Sequence, residues 1–454
     1  MTRPTSTGIG ILRRGPHVAV RSLCGALALL VALSVPASAQ QVADKQTSAA
    51  DKQTSAADKQ TSAADKQPSA DKQKAQSGLR WDEGSIRFGD SVRIDPRVRV
   101  QADMLLWTSE EPIEDRFSWG SRRIGVNGEL FNRVQFQVER AFQDDDDDDS
   151  PWRDVYADVR INRAFQVRGG RFKLPFSLER NTSRDELDFI QRATAVRAIS
   201  PSRDTGVMVH GRVVKRMVEY EAGVFQHADG FDLTDDSNSW SALGSTLAGR
   251  VLVAPIRDKR DGPTRDLHFG VALVRNTMPE GLNSRVGRLF DDDRFSERMN
   301  VNGQRTRLGA EGLWRGHRAT IKGELLQLTD ERLGQAITGG DLSDLVQRGA
   351  YLTGLVRVFG EPGRRGQALD VAVRFDRFTL GSENDTDEAF TNPRADHIAP
   401  LAKNTWTFGG NWQVHRWVRV QGNLLRETLV DSLDVRDINT EPRWTAVMRF
   451  QFSL

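Results

Sequence analysis

Hydrophobic and polar residues alternate along most of this chain with a period of two. Val98, Val100, Ala102, Met104 and Leu106 alternate with Arg97, Arg99, Gln101 and Asp103. Val134, Phe136 and Val138 alternate with Arg133, Gln135, Gln137 and Glu139, and the same texture returns at 155–161, 369–376 and 405–414. The last twelve residues, RWTAVMRFQFSL, put Trp444, Ala446, Met448, Phe450, Phe452 and Leu454 in one set. Arg443, Thr445, Arg449, Gln451 and Ser453 form the other, and only Val447 breaks the pattern. A period of two places alternate residues on opposite faces of a strand. From Leu79 onward such segments are separated by polar, Gly- and Asp-rich breaks. No long amphipathic helix intervenes, so the region reads as all-β.

Two architectures accept strands with one apolar and one strongly polar face. A soluble sandwich or propeller hides the apolar faces in a core, whereas a transmembrane antiparallel β-barrel turns them to lipid and its polar faces to a wet lumen. Three features favour the barrel. The polar face carries Arg and Asp together, and Trp107, Trp406, Trp412, Trp417 and Trp444 fall near strand ends, where an aromatic girdle sits. The third is an export signal. Arg3, Arg13, Arg14 and Arg21 precede the apolar run LCGALALLVALSV, which ends in Pro36-Ala37-Ser38-Ala39. That is the layout of a secretory signal peptide over 1–39, and its core is too short for a permanent membrane helix. At roughly 20 to 25 residues per strand with its connection, 79–454 holds about 16 strands, a size that leaves an aqueous channel.

Residues 40–78 form a linker in which the unit DKQTSAA begins at Asp44, Asp51 and Asp58 and then decays. Its seven-residue period raises a coiled coil, but alanine is its only apolar residue, so no stripe exists to bury and a solvated linker fits better. Loss of the signal peptide would remove Cys24, the only cysteine, and leave 60 basic against 62 acidic residues. The basic excess of the precursor therefore gives no argument for a nucleic-acid partner.

Catalytic signatures are missing from the sequence. The histidines are scattered without H-E-x-x-H spacing, and neither G-x-S-x-G nor a Walker A sequence occurs. No enzyme, cofactor or metal is expected. The run Asp144 to Asp149 raises a calcium site, but it lacks the EF-hand spacing and glycine hinge, and a solvated loop is the simpler reading.

Residues 166–207 read QVRGGRFKLPFSLERNTSRDELDFIQRATAVRAISPSRDTGV. The phrase Gly170 to Phe176, the turn Thr182-Ser183 and the return Pro201 to Gly206 resemble the signature region of the phosphate-selective porin O/P family. Gln191 stands where that pattern has Glu. The resemblance implies an outer-membrane barrel of 16 antiparallel strands, usually a homotrimer, with an inward-folded constriction loop whose cations draw small anions such as phosphate. It also implies outer-membrane lipid as surroundings and the barrel-assembly machinery as a partner of the C-terminal strand, although Leu454 replaces the usual terminal Phe.

After Leu79 there are 49 arginines and 5 lysines against 57 acidic residues. Selectivity cannot come from overall charge; it must come from where the cations sit. Phe172 and Leu174 share one face of the signature strand, which places Arg171 and Lys173 on the opposite, lumenal one. Arg180, Arg184, Arg192, Arg197 and Arg203 follow in the segment expected to fold inward. Fixed cations of this kind lower the barrier to anions. The competing reading has these arginines pair with Asp185, Glu186, Asp188 or Asp204 and brace the loop. Three functions stay open on sequence: an anion-preferring porin, a differently selective porin of the same fold, and a secreted β-rich binding or structural protein.

Overall fold

A computed structural model describes residues 79–454 apart from 83, 90, 110–115, 143–149, 227–245, 258, 260–261, 292–293, 362–365, 383–392 and 432–437. The expected signal peptide (1–39), the repeat linker (40–78) and the run Asp144 to Asp149 lie outside the described residues.

Sixteen strands among the described residues form one ring. They are β3 (Val92–Thr108), β4 (Phe117–Leu130), β5 (Val134–Ala141), β6 (Trp152–Arg160), β7 (Gln166–Lys173), β8 (Arg203–Val213), β9 (Val218–Phe225) and β10 (Thr246–Ile256). The second half is β11 (Thr264–Gly281), β12 (Val301–Gly316), β13 (Ala319–Arg332), β14 (Leu342–Gly360), β15 (Ala368–Ser382), β16 (Leu401–His415), β17 (Val418–Asp431) and β18 (Arg443–Ser453). Each strand pairs antiparallel with its neighbours in sequence. The last, β18, returns to β3 in register from Thr445↔Thr108 to Ser453↔Arg99. Closure leaves no open edge, which is the condition for crossing hydrocarbon with strands. Two short strands, β1 (Leu79–Asp82) and β2 (Ser85–Phe88), pair with each other, and β2 adds to the start of β3.

Connections alternate between short and long. β12 reaches β13 through His317 and Arg318 alone, and β16 reaches β17 through Arg416 and Trp417. In contrast, β7 reaches β8 through 174–202 and β11 reaches β12 through 282–300. All the short turns fall at the end where β18 finishes. In outer-membrane barrels the short turns are periplasmic and the long loops extracellular.

The terminal stripe explains itself in this frame. Arg443, Thr445, Arg449 and Gln451 are buried within the barrel, while Phe450 and Phe452 face out with 51% and 41% of their surface exposed. Val447, the residue that broke the alternation, also points inward and packs with Ile190 and Leu425. Trp107, Trp406 and Trp412 are exposed outward, the first two toward the long-loop end and the third toward the short turns.

The interior departs from the uniformly wet, polar lumen that the alternation predicts. Met208, Phe225, Val274, Leu326, Leu328, Leu345, Phe378 and Leu380 are buried in one apolar cluster with Phe176, Val196 and Ile199. The physical reason is the segment 174–202. Its own apolar side chains must be buried, each worth roughly 1.5–3 kcal/mol, and the inner wall supplies the matching surface.

Phe450→Arg places a guanidinium on the lipid-facing side of β18 and is expected to cost roughly 2–4 kcal/mol near the bilayer midplane. Denaturant titration of the protein refolded into phosphatidylcholine vesicles measures it. Phe450→Leu, which keeps the apolar face, is expected to stay near wild type.

Candidate functional site

The segment between β7 and β8 carries two short helices, α1 (Leu178–Asn181) and α2 (Thr194–Ile199), and a 3-10 turn at Arg184–Glu186. Ser177 caps α1, its hydroxyl accepting from the Arg180 amide at 3.1 Å. The Glu324 carboxylate on β13 accepts from the Leu178 and Glu179 amides at 3.0 and 2.8 Å, so the otherwise unpaired amides of the first turn are satisfied by the barrel wall. The segment then crosses the interior, held by inward-facing side chains. Arg419 of β17 donates to the Asp185 and Leu187 carbonyls, Asn423 accepts from the Ile190 amide at 2.7 Å, and Arg449 of β18 donates to the Ile190 carbonyl at 3.0 Å. Asp376 of β15 accepts from the Thr194 amide, and Arg307 of β12 donates to the Ile199 carbonyl at 2.8 Å. At Gly349 on β14 the approach is so close that an added Cβ would stand 2.3 Å from the Ala195 Cβ.

One ion pair ties these contacts together. Glu179 accepts from Arg374 of β15 at 3.1 Å and from the Ala193 amide at 2.9 Å, which links α1, the approach to α2 and the wall. Both side chains are 2% exposed. Arg374 also donates to the Gln191 carbonyl and lies 4.6 Å from the centre of the Phe189 ring.

The segment thus occupies the side of the lumen formed by β12 to β18. Facing it, between the segment and the wall of β3 to β9, lies a cavity of about 390 Å³. Its lining holds ten cationic side chains, Arg97, Arg99, Arg123, Arg153, Arg168, Lys173, Arg180, Arg184, Arg192 and Arg203, against four carboxylates, Glu139, Asp154, Glu186 and Glu221. Several of these cations are held in place. Lys173 donates to the Thr182 carbonyl at 3.1 Å, and Arg192 donates to the Glu179 and Thr182 carbonyls at 3.0 Å each. Arg184 donates to the Gly120 carbonyl at 2.8 Å, Arg180 to the Pro201 carbonyl at 3.2 Å, and Arg203 grips Asp154 at 2.8 and 3.1 Å.

Electrostatic crowding follows. Burial, then the charges of Arg180 and Arg184, push Arg192 down from the ordinary guanidinium range to about 9, so it remains a cation at neutral pH. Asp185 shows the opposite case: burial works against its ionisation, but Arg99 and the Ser183 hydroxyl hold it below the usual carboxylate range.

Five of the seven residues singled out in the sequence, Lys173, Arg180, Arg184, Arg192 and Arg203, line this one cavity. Arg197 does not; it donates to Gln191 and to the Leu289 carbonyl. Nor does Arg171, which the strand alternation placed in the lumen. It is registered against Val155 and Thr205, and its Nε donates to the Trp152 carbonyl on the exposed side. Phe172, expected on the far face, instead lines the cavity beside Lys173. The period of two holds through Phe172, since Arg168 and Phe172 both face inward and the register with β6 and β8 is unbroken across Gly170; what differs is that the apolar Phe172 faces the interior, where it packs with Met208 and Phe225. Two of the expected carboxylates do brace the loop, but against cations of the barrel wall and not the segment's own arginines: Asp185 pairs with Arg99 and Asp188 with Lys322. The sequence reading passed over Arg97, Arg99 and Arg123, although they stand on the polar faces of strands it had identified. Arg153 and Arg168 carried no signal beyond being single cations near strand ends.

Glu179→Ala would strip the buried Arg374 of its nearer carboxylate and leave it only Asp376 at 3.7 Å, a loss of up to about 3–5 kcal/mol for a broken buried pair. The segment 174–202 is expected to loosen, with faster amide exchange and raised single-channel conductance while the barrel stays folded. Unchanged exchange and conductance would contradict the seating described.

Comparison with curated protein sequences returns no match. Among solved structures, the fold is similar to OmpT of Vibrio cholerae in its trimer form, with 11% identity, TM-score 0.50, and 80% of this chain and 100% of that chain covered. It is similar to an anion-selective porin from Comamonas acidovorans, with 14% identity, TM-score 0.50, and 80% and 100% covered. The outer-membrane channel DcaP of Acinetobacter baumannii gives 10% identity, TM-score 0.50, and 80% and 98% covered. These likenesses speak to fold alone. The family model described as phosphate-selective porin O and P matches residues 112–453, a span that contains the whole segment 174–202 and most of the ring, and the chain therefore belongs to that family of outer-membrane porins.

Proposed function

We propose that this porin conducts small anions in preference to cations, with phosphate among the anions it accommodates. One observation carries the reading: ten cations against four carboxylates around a single lumenal cavity, in a barrel whose overall charge is close to balanced. An ion entering a narrow passage sheds hydration, and fixed groups must replace it. Guanidinium forks do this for phosphate and carboxylate oxygens. Arg192 is spent on backbone carbonyls, not carboxylates, so its charge is left for a passing anion. Several moderate sites in series also suit release. The family description accords with this chemistry. The same reading takes 1–39 as a cleaved signal peptide, 40–78 as a linker on the periplasmic side, and the assembled protein as a homotrimer, like the trimer form of the Vibrio cholerae relative.

The test is the reversal potential in a tenfold potassium chloride gradient across a planar bilayer. The wild type is expected to favour chloride. Lys173→Gln together with Arg192→Gln, which keeps a donor for the Thr182 carbonyl, is expected to move the potential toward zero while the barrel stays folded. A wild type that favours potassium, or a double variant with the wild-type potential, would sink the proposal.

A further inference from the structure

Four outward-facing arginines lie along one margin of the barrel. Arg275 on β11 is registered opposite Thr306, Arg348 on β14 opposite Thr379, Arg377 on β15 opposite Asn404, and Arg426 on β17 opposite Trp444. All four share the outward phase of their strands and lie toward the long-loop end. One pleat nearer the short turns, or two on β14 and β15, the same strands present Leu273, Leu352, Val373 and Leu424, all exposed. Beyond these the outward face stays apolar, with Val356, Val371 and Phe450. The arginines therefore mark the upper border of the lipid-facing band.

Their partners are neutral. Arg275 donates to Gln304 at 2.9 Å, Arg348 to Gln327 at 3.2 Å and Arg377 to Asn404 at 3.1 Å, while Arg426 lies 5.9 Å from the centre of the Trp444 ring. Among the described residues none of these four makes an ion pair with a carboxylate. Within the barrel the pattern differs, for Arg203 grips Asp154 and Arg357 grips Asp370. A guanidinium at a hydrocarbon border extends its head toward the polar layer, and without a protein carboxylate it takes its counter-charge from that layer. The amides beside Arg275, Arg348 and Arg377 add donors for phosphate or sugar oxygens.

We propose that this row is a docking surface for phosphate groups on an anionic glycolipid of the outer leaflet, whose acyl chains lie against the leucines and valines below it. The proposal rests on the outer-membrane placement and not on channel selectivity. Free phosphate is the lesser candidate, because the row opens onto the lipid-facing wall and not the lumen.

The test uses the full chain in phosphatidylcholine nanodiscs containing bisphosphorylated lipid A, with bound lipid counted by native mass spectrometry. The wild type is expected to retain bisphosphorylated lipid A and to discriminate against the dephosphorylated form. Arg348→Gln, Arg377→Gln and Arg426→Gln combined are expected to lower retention on the order of a hundredfold, from the worth of a cation near an anionic surface. The three lysine replacements, which keep the charge, are expected to retain most of it. Inorganic phosphate alone is expected to bind wild type and glutamine variant alike, since the cavity is untouched. The proposal is overturned if a folded glutamine variant, shown by heat-modifiable gel mobility, keeps its lipid A. Equal binding of the dephosphorylated lipid would overturn it too, as would cross-links through position 377 showing that a second copy covers the row.

Discussion

Everything distinctive about this barrel depends on how one segment is seated against one wall. The pair Glu179–Arg374 is buried on both sides, and a lone charge left there would be costly, so the two partners fix each other. Through Glu179 the pair fixes α1 and the approach to α2; through Arg374 it fixes the Gln191 carbonyl and the Phe189 ring. The apolar cluster of Phe176, Val196 and Ile199 then has a definite place to pack. Water is excluded from that side of the lumen, and the open volume is pushed toward the opposite wall.

That displacement gives arginine its leverage. Charge spread evenly over a wide, wet lumen is screened and paired, and contributes little discrimination. Here the carboxylates of the seated side are consumed by the segment and by wall cations, as with Glu324 at α1, Asp188 on Lys322 and Glu427 on Lys403. The other wall faces the segment with a local excess of cations, and on the segment itself burial and then Arg180 and Arg184 depress Arg192. A barrel of nearly balanced composition can thus hold a strongly one-signed passage, because position and not sum sets the local field.

Much of this was legible in the sequence, for identifiable reasons. Alternation in RWTAVMRFQFSL marks its lipid and lumen faces, because a strand that meets hydrocarbon on one side and water on the other has no freedom to blur them. The length of the region gives the strand number, and the phrase around Lys173 marks the segment that enters the lumen. What was not legible depends on backbone geometry and long-range contact. Arg171 was placed on the wrong face because the apolar Phe172 was read as lipid-facing, whereas it packs inward with Met208 and Phe225; Gly170, where an added Cβ would meet the Val155 carbonyl oxygen, marks a close approach of the neighbouring strand. Gly349 is a similar mark of close approach, but nothing local says that Ala195 is what approaches. The cavity residues Arg153 and Arg168 become neighbours only through ring closure and seating, and no spacing in the chain encodes that.

If the proposed anion preference is set by where the cations sit and not by net charge, a matched pair of substitutions separates the two. Arg184→Gln and Arg348→Gln remove the same charge, one from the cavity and one from the outward face. Reversal potentials for both, in the same potassium chloride gradient, decide the matter. A shift toward zero is expected for Arg184→Gln and the wild-type value for Arg348→Gln. Equal shifts for the two, or a shift confined to Arg348→Gln, would contradict it.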